Sequence, residues 1–387
     1  MNTDELDKLA NRAFVYIDED EPERAVDFLI AASDKAFDFA DTSKDALEKS
    51  KFIDLGNEYL SLAENISVEN EEDSQKSLSM NEQVRKKGGK DWQFEIPTIT
   101  FDDVIGMDNL KMEIINKLIN PTRDQNKNSL ANQYKLPKGF GLLLYGPTGT
   151  GKTFFARAVA GELGWPLYVI SGSAIISKYV GESEKNLMHL FSQAKSHKRS
   201  VIFIDEIETI FPDRKTKELQ QHEKKLAGEL LAQLDGIDPA ENWMLIIGAT
   251  NNPTALDDAL LRDGRLGIHA FVGLPEKKLI VEMLQKEMTG IKLQGEIDFD
   301  SIADKLVGLT LNSVKNIAEE VRSIAYIRDT DYYNRHPEME QVALGVRSED
   351  FDQAMKNRTP MRISEKSLVE MQAFQEQHLN HIIAERN

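Results

Sequence analysis

Hydrophobic positions form helical stripes at both ends of the chain and short unbroken apolar runs in the middle. Within the first 67 residues the helical period occurs three times. Leu6, Leu9, Ala10, Ala13, Phe14 and Ile17 recur at i, i+3, i+4, i+7, i+8 and i+11, one stripe of a helix. The acidic stretch DEDEPER breaks that stripe, and Pro22 suits the first turn of the next helix. Ala25, Phe28, Leu29, Ala32 and Ala36 form a second stripe, and Phe52, Leu55, Tyr59, Leu62 and Ile66 a third. Short amphipathic helices bury such stripes only on one another, so residues 1–67 are predicted to be a three-helix bundle. Residues 68–96 lose the period and read as a linker, with a Gly pair and the basic cluster RKKGGK. That cluster serves either as a solvated hinge or as a contact to substrate or a neighbouring subunit.

Order resumes near Phe101. The apolar runs LLLY (142–145), LYVIS (167–171), VIFID (201–205), MLIIGAT (244–250) and AFVGL (270–274) read as buried parallel strands. Helical patterns separate them. This alternation predicts an α/β fold over 97–276, a doubly wound parallel sheet that binds ligand at its C-terminal strand ends. After Pro275 the period is helical again, in LIVEMLQKEM, DSIADKLVG and SVKNIAEEVRSIAYIRD, and predicts a helical lid domain over 277–358. The remainder, 359–387, reads as a C-terminal helix over 364–385.

The first apolar run ends in GPTGTGKT (146–153), and that loop opens into the helical pattern FARAVAGEL. Strand, glycine-rich loop and helix are the setting in which G-x-x-x-x-G-K-[ST] forms a P-loop. Gly146, Gly149 and Gly151 let the backbone turn its N–H groups around phosphates. Lys152 is placed to reach the β- and γ-phosphates and Thr153 to hold Mg²⁺. Downstream, Asp205 and Glu206 end an apolar strand. There Asp205 would orient Mg²⁺ through water and Glu206 would polarise an attacking water. Asn251, after the next strand, would hydrogen-bond that water or the γ-phosphate. Arg262 and Arg265, in ALLRDGRLG, are candidates to stabilise transferred charge in a neighbouring subunit's site. Such fingers contribute roughly 10³–10⁵ in rate.

The chain has 387 residues, room for two or three domains at about 150 each. Its 65 acidic and 47 basic residues leave a net charge of −18, which argues against duplex nucleic acid or an anionic membrane as the main partner. The absence of cysteine excludes a disulfide framework and thiolate chemistry, and the seven histidines lack ligand spacing. No apolar run approaches ~20 residues, and the N-terminus is acidic and amphipathic, so a cytoplasmic protein is expected.

Taken together, these residues resemble the AAA subfamily of AAA+ ATPases over about 99–329. TFDDVIGMDNLK, GPTGTGKT, SKYVGESEKN, IFIDEIE, AQLDGI, GATN and LDDALLRDGR stand in the family's order. The resemblance implies a ring-forming motor, usually a homo-hexamer, with ATP and Mg²⁺ at sites completed by the next subunit. Val104, Ile105 and Gly106 would line the adenine pocket. Gly146, Pro147, Thr148, Gly149, Thr150, Gly151, Lys152, Thr153, Phe154 and Asp205 would complete the nucleotide-binding set. In SKYVGESEK, Lys178, Tyr179, Val180 and Gly181 match a first pore loop, whose aromatic and branched side chains grip extended polypeptide. The second pore loop would fall over 213–222. The bundle, linker and AAA module together resemble the MIT-domain ATPases: the ESCRT-III-disassembling ATPase, spastin and katanin relatives, and the archaeal Cdv cell-division ATPase. That likeness implies that the bundle binds tails of filament proteins; a generic helical adaptor domain is the alternative.

The chain departs from the family in two places. Ile268 stands where a second finger arginine is expected, so Arg265 works alone, Arg262 substitutes, or hydrolysis is slow. LTLNS (309–313) replaces the usual start of the lid helix. Two other functions compete with a filament-disassembling motor: an unfoldase of the proteasome-activating type, and a nucleotide-regulated scaffold with weak turnover.

Overall fold

The structure is a computed structural model. It describes residues 6, 8–10, 12–13, 16, 22–43, 46–68, 92–123, 133, 141–177, 179, 181–197, 199–212, 221–236, 243–262, 264–358, 363–377 and 381–383.

At the N-terminus, α1 (Pro22–Thr42) and α2 (Ala46–Val68) pack along each other, preceded by helical residues between 6 and 16. Leu6, Leu9, Ala13, Ala25, Phe28, Leu29, Ala32 and Ala36 are buried in one cluster, with Phe52, Leu55, Tyr59 and Leu62 packed against it. The three stripes therefore do meet. Phe14 and Ile17, expected in the first stripe, lie outside the described residues, as do residues 69–91 of the linker. The bundle also touches the domain behind it. Lys8 Nζ lies 3.7 Å from an Asp103 carboxylate oxygen, Arg12 donates to the Gly161 carbonyl, and Ile96 packs on the bundle core.

The linker expected over 68–96 ends earlier than its composition indicates. Trp92 is buried in the main core, and its backbone N–H donates to Gln193 Oε1 at 3.0 Å. Glu95 forms an antiparallel bridge with Leu167. A single aromatic anchor in a polar stretch carries no period, so the sequence pattern misses it.

The central sheet contains β1 (Gly141–Tyr145), β2 (Leu167–Ser171), β3 (Arg199–Asp205), β4 (Trp243–Thr250), β5 (Ile268–Phe271) and β6 (His381–Ile383), in the order β2-β3-β4-β1-β5-β6. All described pairings within it are parallel. Tyr145 at the end of β1 pairs with Thr250 at the end of β4, and Ser171 on β2 pairs with Asp205 on β3. The P-loop and the acidic strand end therefore emerge on the same edge, with only β4 between them. Strands covered on both faces read as unbroken apolar runs, which is why they were legible. One face packs on a cluster that includes Tyr145, Ile204, Phe211 and Phe374, the other on one that includes Leu142, Phe155, Phe203 and Ile247.

Helices alternate with these strands: α3 (Asp108–Ile114), α4 (Lys152–Leu163), α5 (Glu182–Ser196) and α6 (Gln221–Asp235). Gly164, at φ 64°, ends α4 in the left-handed cap that favours glycine. Gly141 opens β1 so close to its neighbour that a Cβ would stand 1.8 Å from the Arg265 carbonyl oxygen. Gly141→Ala must push β1 from the β5 approach, and a loss of roughly 1–3 kcal/mol in urea unfolding is expected.

The lid comprises α7 (Lys277–Glu287), α8 (Phe299–Leu306), α9 (Leu311–Arg335) and α10 (Ser348–Asn357). Asp298 and Thr310 side chains cap α8 and α9 by accepting the N–H of Ser301 and Ser313. Arg328 ties α9 to α10 through two 2.7 Å hydrogen bonds to the buried Asp350 carboxylate. Beyond the lid, α11 (Glu365–Gln377) brings buried Met371 and Phe374 against the ATPase core, the Phe374 ring lying 5.0 Å from that of Tyr145. The helix expected over 364–385 stops short: residues 381–383 add β6 to β5. A lone β-rich tripeptide becomes a strand only because β5 offers it a free edge, which local sequence does not display.

Candidate functional site

The loop after β1 is built by close approach and unusual backbone. Gly146 turns at φ 152°, and a Cβ there would meet the Val272 carbonyl oxygen at 2.1 Å. Gly149 and Gly151 sit at φ 79° and 98°, in the region that favours glycine. α4 starts at Lys152 with no side-chain cap, so its first N–H groups and its dipole face the loop's concavity, an arrangement that suits an anion.

Lys152 is buried beneath this loop. Its Nζ donates to the carbonyls of Gly146 and Pro147, both at 2.9 Å, and to Asn251 Oδ1 at 2.7 Å. Burial lowers its pKa to about 8, against the opposing pull of the Asp205 and Glu208 carboxylates. The three expected partners of a phosphate chain, Lys152, the loop and Asn251, are thus already in contact.

Across from them, the Thr153 hydroxyl donates to Asp205 Oδ2 at 3.4 Å, and the Glu206 N–H donates to Asp205 Oδ1 at 3.0 Å. Glu206 is exposed and takes the left-handed conformation at φ 52°. For a non-glycine residue this costs of order 1–3 kcal/mol, and such strain clusters at working sites. Its effect is to turn the carboxylate away from its own strand and into the cavity. A hydroxyl beside a carboxylate is a hard-oxygen pair of the kind Mg²⁺ prefers when it keeps several waters and phosphate oxygens. Among the described residues no group of three or more His, Cys, Asp or Glu could hold a metal by itself. The fit is therefore to a metal that arrives with a phosphate chain.

These residues line one cavity of about 690 Å³. Val104 and Ile105 form one wall, and Thr148 to Phe154, Asp205, Glu206 and Asn251 another. Gly106 stands behind the wall, at φ 63°, with its Cβ position 3.4 Å from Leu279. Gly146 and Pro147 support the loop from below rather than lining it. The sequence reading missed the lid's share: Leu279, Met283, Leu311, Asn312 and Lys315 close the cavity. The altered lid start, LTLNS, does reach the loop, because Asn312 N–H donates to the Gly149 carbonyl at 3.0 Å. The signal available was the N-cap at Thr310, which places the start of α9.

The remaining expected residues stand elsewhere. Arg265 makes a bidentate pair with Asp235 of its own chain at 2.9 and 2.8 Å and also donates to the Ala259 carbonyl. The same hydrogen bonds hold the Asp235 carboxyl below the usual carboxylate range. Arg262 is exposed. Neither lines this chain's cavity, so any role in hydrolysis is exercised on another copy. Tyr179 is 73% exposed, and Gly181, at φ 81°, begins α5 behind it. The turn is pinned by Ser177, whose hydroxyl donates to Glu182 at 2.6 Å and accepts the Tyr179 N–H at 3.2 Å. Lys178 and Val180, and residues 213–220 of the second pore loop, lie outside the described residues.

Loop, lysine, acidic strand end and sheet order define a P-loop nucleotide-binding unit. Residues 142–274 match the family model "ATPase family associated with various cellular activities (AAA)", so the chain carries an AAA ATPase domain. It is 36% identical over 239 residues to the ATP-dependent zinc metalloprotease FtsH of Syntrophobacter fumaroxidans, covering 60% of this chain and 36% of the relative. Protein SAV of Sulfolobus acidocaldarius is 34% identical over 278 residues, 67% of this chain and 35% of the relative. A katanin p60 ATPase-containing protein of Xenopus tropicalis is 32% identical over 298 residues, 73% of this chain and 53% of the relative. The chain spans about a third to a half of the length of these relatives.

Proposed function

We propose that the chain hydrolyses ATP at this site and uses the energy to remodel protein assemblies. The observation that carries the reading is the convergence of Lys152, Asn251, Thr153, Asp205 and Glu206 on one cavity. The loop N–H groups and Lys152 bind the β- and γ-phosphates, Lys152 exchanging its loop carbonyls for phosphate oxygens. Thr153 and, through water, Asp205 would hold Mg²⁺, which would supply charge neutralisation at those oxygens. Glu206 orients a water and takes its proton as the water oxygen attacks the γ-phosphorus and the bond to ADP breaks. Asn251 fixes the water or the γ-phosphate from the other side. In this reading an arginine of a neighbouring copy, Arg265 or Arg262, completes the site within a ring, taken to be a homo-hexamer; that neither lines its own chain's cavity is what supports it.

Tyr179 supports the protein-handling part of the reading, since an exposed aromatic on a pinned turn grips backbone without reading sequence. Tails of filament proteins are the proposed substrates and the N-terminal bundle their receptor. Fluorescence anisotropy of labelled tail peptides should show binding that is lost when residues 1–67 are deleted. Peptides that do not bind, with filament disassembly unchanged by the deletion, sink the tail-receptor idea. Tyr179→Ala should lower the amount of protein substrate released per ATP hydrolysed at least about tenfold, because hydrolysis then lacks its grip. An unchanged ratio argues against a pore role.

A further inference from the structure

Lys111 ends the stretch TFDDVIGMDNLK (100–111), and no step of the hydrolytic scheme uses it. It stands on α3, and only 16% of its side chain is exposed. Its Nζ donates to the Val104 carbonyl at 2.7 Å and to the Phe101 carbonyl at 3.4 Å, and lies 3.1 Å from an Asp108 carboxylate oxygen. An ammonium has three donors, and here three oxygens of one short stretch, 101–108, surround it. The Lys111 backbone N–H also donates to the Met107 carbonyl, at 2.8 Å. One residue therefore clamps the loop at 101, at 104 and at 107.

What that loop gives the cavity is an apolar wall. Val104, Ile105 and Met107 line it, with Leu279 and Met283 of the lid. The wall is not a relaxed shape. Gly106 and Met107 take left-handed backbone in succession, at φ 63° and 56°, and the second costs free energy because it carries a side chain. Such a bend persists only where contacts hold it. The start of the loop is held by α4: the Phe101 N–H donates to Glu162 Oε1 at 3.0 Å, and the Phe101 ring lies 5.4 Å from that of Phe155. Lys111 holds the rest from α3. Its contacts lie outside the phosphate end, where Lys152 meets Asn251 and the P-loop carbonyls.

We propose that Lys111 is a positioning residue that holds the loop 101–107 as the wall against which the flat base of the nucleotide packs, so that affinity for the base depends on it and affinity for the phosphates does not. The inference rests on the nucleotide-binding reading above. Lys111 need not touch the nucleotide. An apolar slot binds a flat base by burial, and a wall free to relax loses that burial while the phosphate contacts stay as they are.

The test is calorimetric titration of the full chain with ATP and with inorganic tripolyphosphate, both with Mg²⁺; the second ligand has the phosphate chain and no base. Lys111→Met keeps the length of the stem and removes the donors. It should weaken ATP about tenfold, the scale of a carbonyl left without its charged partner, and tripolyphosphate by no more than about twofold. In steady-state phosphate release the KM for ATP should rise by a similar factor with kcat within about twofold, because the reacting end is untouched. Lys111→Arg, which keeps donors at this place, should bind ATP within about threefold of the wild type. Unchanged ATP affinity in Lys111→Met, an equal loss for tripolyphosphate, a fall in kcat at saturating ATP, or an Arg variant as weak as Met overturns the proposal. So does a wild type that binds tripolyphosphate as tightly as ATP, since the wall then contributes nothing. A wild type that binds neither ligand fails the nucleotide-binding reading itself, whereas one that binds ATP beside an unaffected Met variant fails this proposal alone.

Discussion

Glu206→Gln should bind ATP as the wild type does and hydrolyse it at least about 100-fold more slowly, within the roughly 10²–10⁴ range of general-base catalysis. Glutamine keeps the size and one acceptor oxygen but cannot take a proton at neutral pH. Among the described residues no hydrogen bond joins the Glu206 side chain to the loop that holds the phosphates; its backbone N–H donates to Asp205 and its carbonyl accepts the Thr209 N–H. Binding should therefore be spared while the chemical step fails. The measurement is phosphate release beside nucleotide affinity from the same preparation. A rate unchanged by the substitution would mean that another group activates the water, and the assignment of Glu206 would fall. The stalled variant should also trap protein substrate, which makes it the means of identifying that substrate by pull-down.

Lys152→Ala should lose ATP affinity at least about 100-fold, near 2.7 kcal/mol, the scale of a lost charge-assisted phosphate contact. The one ammonium donates to Gly146 O, Pro147 O and Asn251 Oδ1 together. Removing it leaves three acceptors facing one another and uncovers Asp205 and Glu208 to mutual repulsion. Turnover should vanish with binding, unlike in Glu206→Gln. Equilibrium dialysis with ATP separates the two variants. The sheet does not depend on the ammonium, so the far-ultraviolet circular dichroism should be unchanged; a variant that keeps wild-type affinity contradicts the role given to Lys152.

Much of the site was legible because its geometry is fixed locally. The five apolar runs became β1 to β5, since strands buried on both faces must be apolar throughout. Lys152 and Thr153 follow Gly151 directly into α4, and Asp205 and Glu206 end β3, so strand and loop alone place them. What sequence did not show depends on distant partners. Asn312 meets Gly149 only because the lid folds back, and Arg265 finds Asp235 thirty residues away. Trp92 and β6 belong to the core by contact, not by period. Glu208 reads as one more surface carboxylate in DEIE, yet it is half-buried with one carboxylate oxygen, Oε2, out of solvent. Strand bounds also moved: the run 270–274 becomes Ile268–Phe271, because pairing with Leu142 to Tyr145 starts at Ile268. Hence Ile268, which stands where a second finger arginine was expected, is a strand residue paired to Leu142.

The most direct measurement is Mg²⁺-dependent phosphate release from ATP by the full wild-type chain over a range of protein concentrations, with Lys152→Ala as the blank. If the cavity is a hydrolytic site completed by a neighbouring copy, turnover per chain should exceed the blank and rise with concentration to a plateau as copies assemble. Release no greater than that of Lys152→Ala at every concentration would contradict the account.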